Sequence, residues 1–384
     1  MSDIDAILRR AVDEGDVPGV VAIAATPDAV IYEGAFGRRS LAEPARMDME
    51  TVFRIASMTK AVTGAAAMQL VENGRLALDQ PAGEIVAGLA APQVLEGFDA
   101  TGRPHLRPAR GAVTLRNLLT HTSGFGYDVW NTDLERYHRE TGTPAPRTGK
   151  LAGLAMPLTF DPGTRWQYGI GIDWAGRMVE AVREQDLESV FREHLFGPLG
   201  MRDTSFLVRP DMLGRLATVH ARAPDGLRTL KLDPDPPREF FPGGGGLHST
   251  ARDYMRFLRM LLGGGKLDGT RALRAETVAL MARNHMGEID VEPMVSYVPT
   301  ASNNVELFPG TRKKWGLSFL INTEAVPGGR SAGSLAWAGI NNTYYWLDPT
   351  RKVAGAVFTQ VLPFGDPAVL RLLDGFERAV YRSL

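Results

Sequence analysis

Residues 61–71, Ala-Val-Thr-Gly-Ala-Ala-Ala-Met-Gln-Leu-Val, are small or apolar almost throughout. A helix built from them has no broad polar face to turn to water, so it belongs in the middle of a domain and the chain must close around it. An extended run of mixed polarity, Thr51-Val52-Phe53-Arg54-Ile55-Ala56, leads to it through Ser57-Met58-Thr59-Lys60. Ser57 is expected at the helix N-terminus, where unpaired backbone N–H groups and the helix dipole favour developing negative charge. Lys60 follows close to one turn later, so its amine reaches back beside the serine hydroxyl. A serine hydroxyl is a weak nucleophile until a base takes its proton, and a lysine shielded from water can be that base. By itself Ser-x-x-Lys more often marks only a capped helix. Here the cost of burying an ammonium in so apolar a setting argues for a purpose.

The 384 residues suggest roughly two domains, or one large unit with an insertion. A chain of this size buries about three quarters of its unfolded surface and needs no covalent staples. Cysteine is absent, which excludes disulfides, thiol catalysis and cysteine-ligated metals together. The net charge is 43 − 44 = −1 with no long basic run, so a nucleic-acid footprint is missing. Met1-Ser2-Asp3-Ile4-Asp5 is acidic and lacks a charged-then-apolar leader. With the missing cysteine, that reads as a cytoplasmic protein. The longest apolar stretch, the helix after Ser57, is too short and too rich in alanine to span a bilayer.

Along the chain, Ile4, Ile7, Leu8 and Val12 predict a first helix capped by Asp3. Strands are expected over 20–24 and 30–32, about the turn Pro27-Asp28-Ala29. The Ser57 helix ends at Asn73-Gly74. A short helix is expected over 76–89, then a polar loop to Gly111, then a capped helix over 114–119. Residues 125–157 read as a long surface excursion, and helices are expected over 172–183 and 187–195. Pro234, Pro236 and Pro237 break regular structure before Gly243-Gly244-Gly245-Gly246. Helices follow over 254–262 and 275–283, then strands over 315–322, 335–340, 343–347 and 353–360, and a last helix over 367–381. Strands at both ends of the chain predict one antiparallel sheet completed by the terminal segments, an α+β arrangement. Residues 1–60 and 205–384 would form that lobe, with 61–204 a mainly helical one.

Acyl transfer from Ser57 needs a second proton-handling group and an oxyanion hole. Tyr168 is the best second group: it follows the turn Asp161-Pro162-Gly163-Thr164 and precedes Gly169-Ile170-Gly171 at a helix entrance. It reads equally as a tyrosine packing a loop. In Ser334-Leu335-Ala336-Trp337-Ala338-Gly339-Ile340, a glycine inside a strand marks close approach by a ligand or backbone. The Ile340 and Ser57 amides together suit an oxyanion; core packing of an edge strand is the other reading.

Five stretches in order carry a resemblance over nearly the whole chain: Ser57 to Lys60, Leu118-Leu119-Thr120-His121-Thr122-Ser123-Gly124, Pro162 to Tyr168, Pro198-Leu199-Gly200-Met201-Arg202-Asp203-Thr204, and Gly243 to Thr250. The chain resembles the serine β-lactamase and penicillin-binding-protein superfamily, and within it the family VIII carboxylesterases, which are similar to class C β-lactamases. The resemblance implies a β-lactamase/transpeptidase-like fold, with an antiparallel sheet flanked by helices and an all-helical lobe, and the site between the lobes. It implies Ser57 as nucleophile, Lys60 and Tyr168 as the proton-transfer pair, and the Ser57 and Ile340 amides as oxyanion hole. Class C β-lactamases carry Tyr-x-Asn where this chain has Tyr168-Gly169-Ile170, and Lys-Thr-Gly or similar where it has Trp337-Ala338-Gly339. Losing that amide and that ammonium suits a neutral ester over an anionic β-lactam. Trp337, Gly339, Tyr127, Trp130 and Asp173 are expected as substrate contacts.

Other chemistries fit less well. The strand–helix alternation of an α/β-hydrolase is absent, and histidines 105, 121, 138, 194, 220, 248 and 285 lack metal-binding spacing. The four-glycine run has no following Lys-Ser or Lys-Thr, so a backbone wall near the site is expected rather than a phosphate loop. The reading is thus a carboxylesterase for small neutral esters that uses no cofactor and no metal. The alternatives are a class C-like β-lactamase or D-amino-acid peptidase, an acyltransferase, and an inactive ligand-binding relative. Oligomeric state is not legible.

Overall fold

The computed structural model describes residues 3–231 and 238–384. The prolines at 234, 236 and 237 fall outside the described residues. Seven antiparallel strands make the main sheet: β1 (Gly19–Ala25), β2 (Val30–Gly37), β3 (Lys313–Trp315), β4 (Leu320–Asn322), β5 (Leu335–Gly339), β6 (Thr343–Asp348) and β7 (Val353–Phe358). Their order is β3-β4-β5-β6-β7-β1-β2, so the N-terminal hairpin completes a sheet made by the C-terminal third of the chain. The continuous apolar run of β1 is buried at every residue, as a central strand covered on both faces requires.

Alternation along β6 assigns the two faces. Trp346 packs on Phe376 of the C-terminal helix, while its neighbour Tyr345 packs on Tyr254 of the helix Ala251–Leu262. Trp337 on β5 pairs directly with Tyr345 and therefore shares the second face. Gly355 of β7 lies opposite Trp346, and a Cβ there would stand 2.1 Å from the indole. Only glycine leaves room for that ring.

Helix α1 (Asp3–Asp13) packs on the C-terminal helix, and α2 (Thr59–Glu72) is the helix the sequence demanded, buried from Thr59 through Leu70. Val62, Met68 and Leu70 are wholly inaccessible, each contributing about 1.5–3 kcal/mol relative to exposure. Two further helices matter for the site, α3 (Leu115–Thr120) and α4 (Gly171–Arg183), and α4 packs along α2.

Several elements differ from the sequence reading. The helix expected over 76–89 is two short 3₁₀ turns, Ala82–Glu84 and Ala87–Leu89, folded so tightly that a Cβ on Gly83 would meet Ala90 at 2.5 Å. The supposed loop before Gly111 holds a hairpin, Gln93–Phe98 with Pro104–Pro108. Its turn is set by the Asp99 carboxylate, which accepts the Thr101 and Arg103 amides at 2.8 and 2.9 Å. The excursion 125–157 contains the helix Thr132–Thr141, capped by Asn131. The strand expected over 315–322 is two, β3 and β4, because Gly316 N–H closes a turn on the Phe319 carbonyl at 2.8 Å. Strand β5 lies inside the sheet, between β4 and β6, and not at an edge.

Candidate active site

Ser57 does not cap α2. It sits in a 3₁₀ turn, Ala56–Met58, that leads into the helix, and α2 has no side-chain cap. Ala56 is held at φ +44°, a left-handed conformation that costs a non-glycine residue about 1–3 kcal/mol. The turn is wedged against β5: a Cβ on Gly339 would lie 2.4 Å from the Ile55 carbonyl oxygen. The close approach expected at Gly339 is thus to the backbone before Ser57. It brings the end of β5, with Ile340 next in the chain, beside the 56–58 turn.

The Ser57 hydroxyl lies 3.2 Å from the Lys60 ammonium nitrogen. Lys60 is fully buried, yet its Nζ donates to three oxygens: Ser57 Oγ, Tyr127 Oη at 3.1 Å and the Gly244 carbonyl. That is one acceptor for each N–H of an ammonium, which is how a buried lysine is made tolerable. The glycine run does form a wall here. Gly243 accepts the Thr63 hydroxyl at 2.7 Å, and a Cβ on Gly244 would stand 2.5 Å from Asp173.

Asp173, expected among substrate contacts, is 5% exposed and lies behind Lys60, its carboxylate accepting Gly244 N–H at 2.9 Å. Burial raises its pKa; the Lys60 charge and the Gly244 amide oppose the rise. Asp173 thus fixes the loop whose carbonyl holds Lys60.

Tyr168 is the hub of an aromatic cluster. The rings of His121, Trp337, Tyr127 and Trp130 lie 4.8, 4.9, 5.3 and 5.4 Å from it. Lys60 Nζ sits 4.7 Å from the centre of the Tyr168 ring, in a cation–π position. Among the described residues the phenol hydroxyl bonded to Lys60 belongs to Tyr127, while the Tyr168 hydroxyl accepts Trp337 Nε1–H at 3.0 Å. Trp337, expected to face substrate, is 3% exposed and spends its polar edge on Tyr168. Trp130 is half-buried, and its Nε1–H donates to Ser302 Oγ at 3.3 Å.

His121 received no role from the sequence. It ends α3 at φ +59° and grips both neighbours of Tyr168. Its carbonyl accepts Gln167 N–H at 2.9 Å, and its Nδ1 accepts Gly169 N–H at 3.4 Å. Burial, reinforced by the Lys60 charge, pushes its pKa well below the usual histidine value, so the ring is neutral. The available signal was a histidine directly after a short apolar helix and two positions before Ser123-Gly124. No group of acidic, histidine or cysteine side chains among the described residues is arranged to hold a metal, and no described helix is long and apolar enough to cross a membrane.

An antiparallel sheet with flanking helices, and a serine–lysine pair where a strained turn enters a buried helix, define a β-lactamase/transpeptidase-like fold. The chain belongs to the Beta-lactamase family, whose sequence model matches residues 4–376. It is similar to monacolin J acid methylbutanoyltransferase of Aspergillus terreus, 34% identical over 98% of this chain and 95% of that protein. It is likewise similar to lovastatin esterase of Penicillium rubens, 31% identical over 99% of this chain and 98% of that one. Unliganded simvastatin synthase from Aspergillus terreus superposes with a TM-score of 0.86 at 32% identity, over 99% of this chain and 97% of the other.

Proposed function

We propose that this protein is a serine acyl-transfer enzyme acting on carboxylic esters of small neutral molecules through an acyl-enzyme on Ser57, as in the family VIII carboxylesterases. The observation that carries the reading is the Lys60–Ser57 contact of 3.2 Å at a turn strained at Ala56. Ser57 Oγ attacks the ester carbonyl, Lys60 and Tyr168 manage its proton, and the Ser57 and Ile340 amides receive the oxyanion. Preference for a neutral substrate is supported by Ile170, an apolar and fully buried side chain where class C β-lactamases carry an amide. It is supported also by Trp337, a neutral side chain engaged with Tyr168. Water resolving the acyl-enzyme gives an esterase. A second reading, transfer to an alcohol, is favoured by the relative named a methylbutanoyltransferase.

A slow phosphonate should add one adduct mass to the wild-type protein, at Ser57, and none to Ser57→Ala; an adduct on another residue sinks the assignment. The two fates of the acyl group are separated by product analysis of a nitrophenyl ester with and without an added alcohol. A new ester at the expense of free acid supports transfer, and free acid alone supports hydrolysis.

A further inference from the structure

Two phenols flank Lys60, and the structure gives them different surroundings. Tyr168 is 4% exposed, presents its ring to Lys60 and accepts an N–H from Trp337. Tyr127 is only partly buried, at the start of the 3₁₀ turn Asp128–Trp130, and its oxygen lies 3.1 Å from Lys60 Nζ. Because that oxygen accepts from Lys60, its own proton points elsewhere, and no described residue accepts it.

Resting on the Ser57 acyl-enzyme reading, we propose that Tyr127 is the general acid of the site, protonating the oxygen that leaves the acyl carbon and recovering its proton from Lys60. Burial first, then the neighbouring Asp173, Tyr168 and Asp128, push the Tyr127 pKa well up, which keeps the proton on until a stronger base arrives. An alkoxide leaving an ester is such a base. Groups of one kind whose surroundings differ are how a site divides acid from base work.

The step begins once the Lys60 ammonium has released one proton to solvent, which leaves an amine lone pair for Ser57 and a Tyr127 phenol, and from there it balances. The Ser57 Oγ–carbon bond forms as the serine proton reaches Lys60, where the face of the Tyr168 ring, 4.7 Å from Nζ, steadies the ammonium that results. The carbon–oxygen bond to the leaving group breaks, and its electron pair stays on the leaving oxygen. That oxygen takes the Tyr127 proton, and Lys60 returns its extra proton to Tyr127. The products are acylated Ser57 and a free alcohol, with nothing else consumed.

A general acid matters only when the leaving group needs a proton, which gives the test. kcat/KM is measured for an ethyl ester and a nitrophenyl ester of the same acid. Tyr127→Phe should lower the ethyl ester rate about 10²–10³-fold further than the nitrophenyl rate, since nitrophenolate departs unprotonated, and a loss common to both esters reports the missing contact to Lys60. Lys60→Ala should depress both. The ratio of the two rates within one variant does not depend on the folded fraction, so a folding defect cannot imitate the result. A ratio unchanged from wild type, whatever the absolute rates, overturns the proposal, as does a ratio that moves in Tyr168→Phe and not in Tyr127→Phe. Activity on the nitrophenyl ester surviving in Ser57→Ala would instead remove the serine reading beneath it.

Discussion

Trp337 combines a ring and a donor that substitution can separate. Its ring lies against Trp315 at 4.6 Å and Tyr168 at 4.9 Å, while its Nε1–H holds the Tyr168 hydroxyl. Phenylalanine keeps an aromatic face on the cluster and loses the donor. A neutral hydrogen bond is worth about 0.5–1.5 kcal/mol net, or roughly 2- to 12-fold at about 1.4 kcal/mol per decade. Trp337→Phe should therefore lower kcat/KM for a nitrophenyl ester by that factor. Much of the loss must vanish when Tyr168 is already phenylalanine, because the acceptor is gone. A double-mutant cycle measures this directly. Equal losses in both backgrounds would mean the indole acts by packing alone. The sequence showed Trp337 as a neutral side chain where a cation stands elsewhere in the superfamily, but not what its N–H touches. That partner sits 169 residues away in the chain.

The close contact between β5 and the turn before α2 is where one element positions another. Alanine at Gly339 would put its Cβ 2.4 Å from the Ile55 carbonyl oxygen and 2.4 Å from Thr343 Oγ1. The first is backbone and cannot swing aside, so the turn carrying Ser57 must move. Gly339→Ala should cost about 1–3 kcal/mol in urea unfolding, as overpacking does. Activity should fall further than the unfolded fraction explains, since a displacement of about 1 Å at the reacting atoms costs about 10²-fold. Activity that simply tracks folded fraction would show that the turn tolerates the shift. Elements with long apolar runs or helical periodicity were legible from the sequence: α2, β1, β5 to β7 and the terminal helices. Short elements whose ends depend on one side chain were not. The hairpin after residue 92 exists because Asp99 closes its turn, and β3 parts from β4 where Ser318 takes φ +78° and bonds to Leu119. The site followed the same rule. Ser57 and Lys60 share one turn of chain and were legible together, whereas the Lys60–Tyr127 bond spans 67 residues and no local pattern announces it.

Across the described residues, burial lowers the pKa of four histidines, His194 among them, and three of the four have a ring nitrogen facing a donor. His121 Nδ1 accepts Gly169 N–H, His220 Nε2 accepts Leu41 N–H at 3.1 Å, and His285 Nδ1 faces the Arg116 guanidinium. Burial lowers all three pKa values below the ordinary 6.5. A histidine depressed in the folded state contributes stability that is present above the unfolded pKa and lost as pH falls through it, because the unfolded chain binds protons the folded one refuses. Each can contribute a slope of up to about 1.4 kcal/mol per pH unit below about pH 6.5. The buried carboxyls Asp173, Glu180 and Asp253 act in the opposite sense, their pKa values raised by burial, with Asp253 reaching about 6. The total slope therefore mixes both kinds, and a difference between two proteins isolates one. His220→Gln retains an acceptor for Leu41 N–H and does not titrate. Urea unfolding of wild type and variant at pH 7.5, 6.5 and 5.5 should show the stability gap moving in favour of the variant as pH falls. The movement should be small between 7.5 and 6.5 and approach about 1 kcal/mol between 6.5 and 5.5. A gap that stays constant would mean that His220 takes up its proton in the fold, with the Leu41 amide no longer bonded to it.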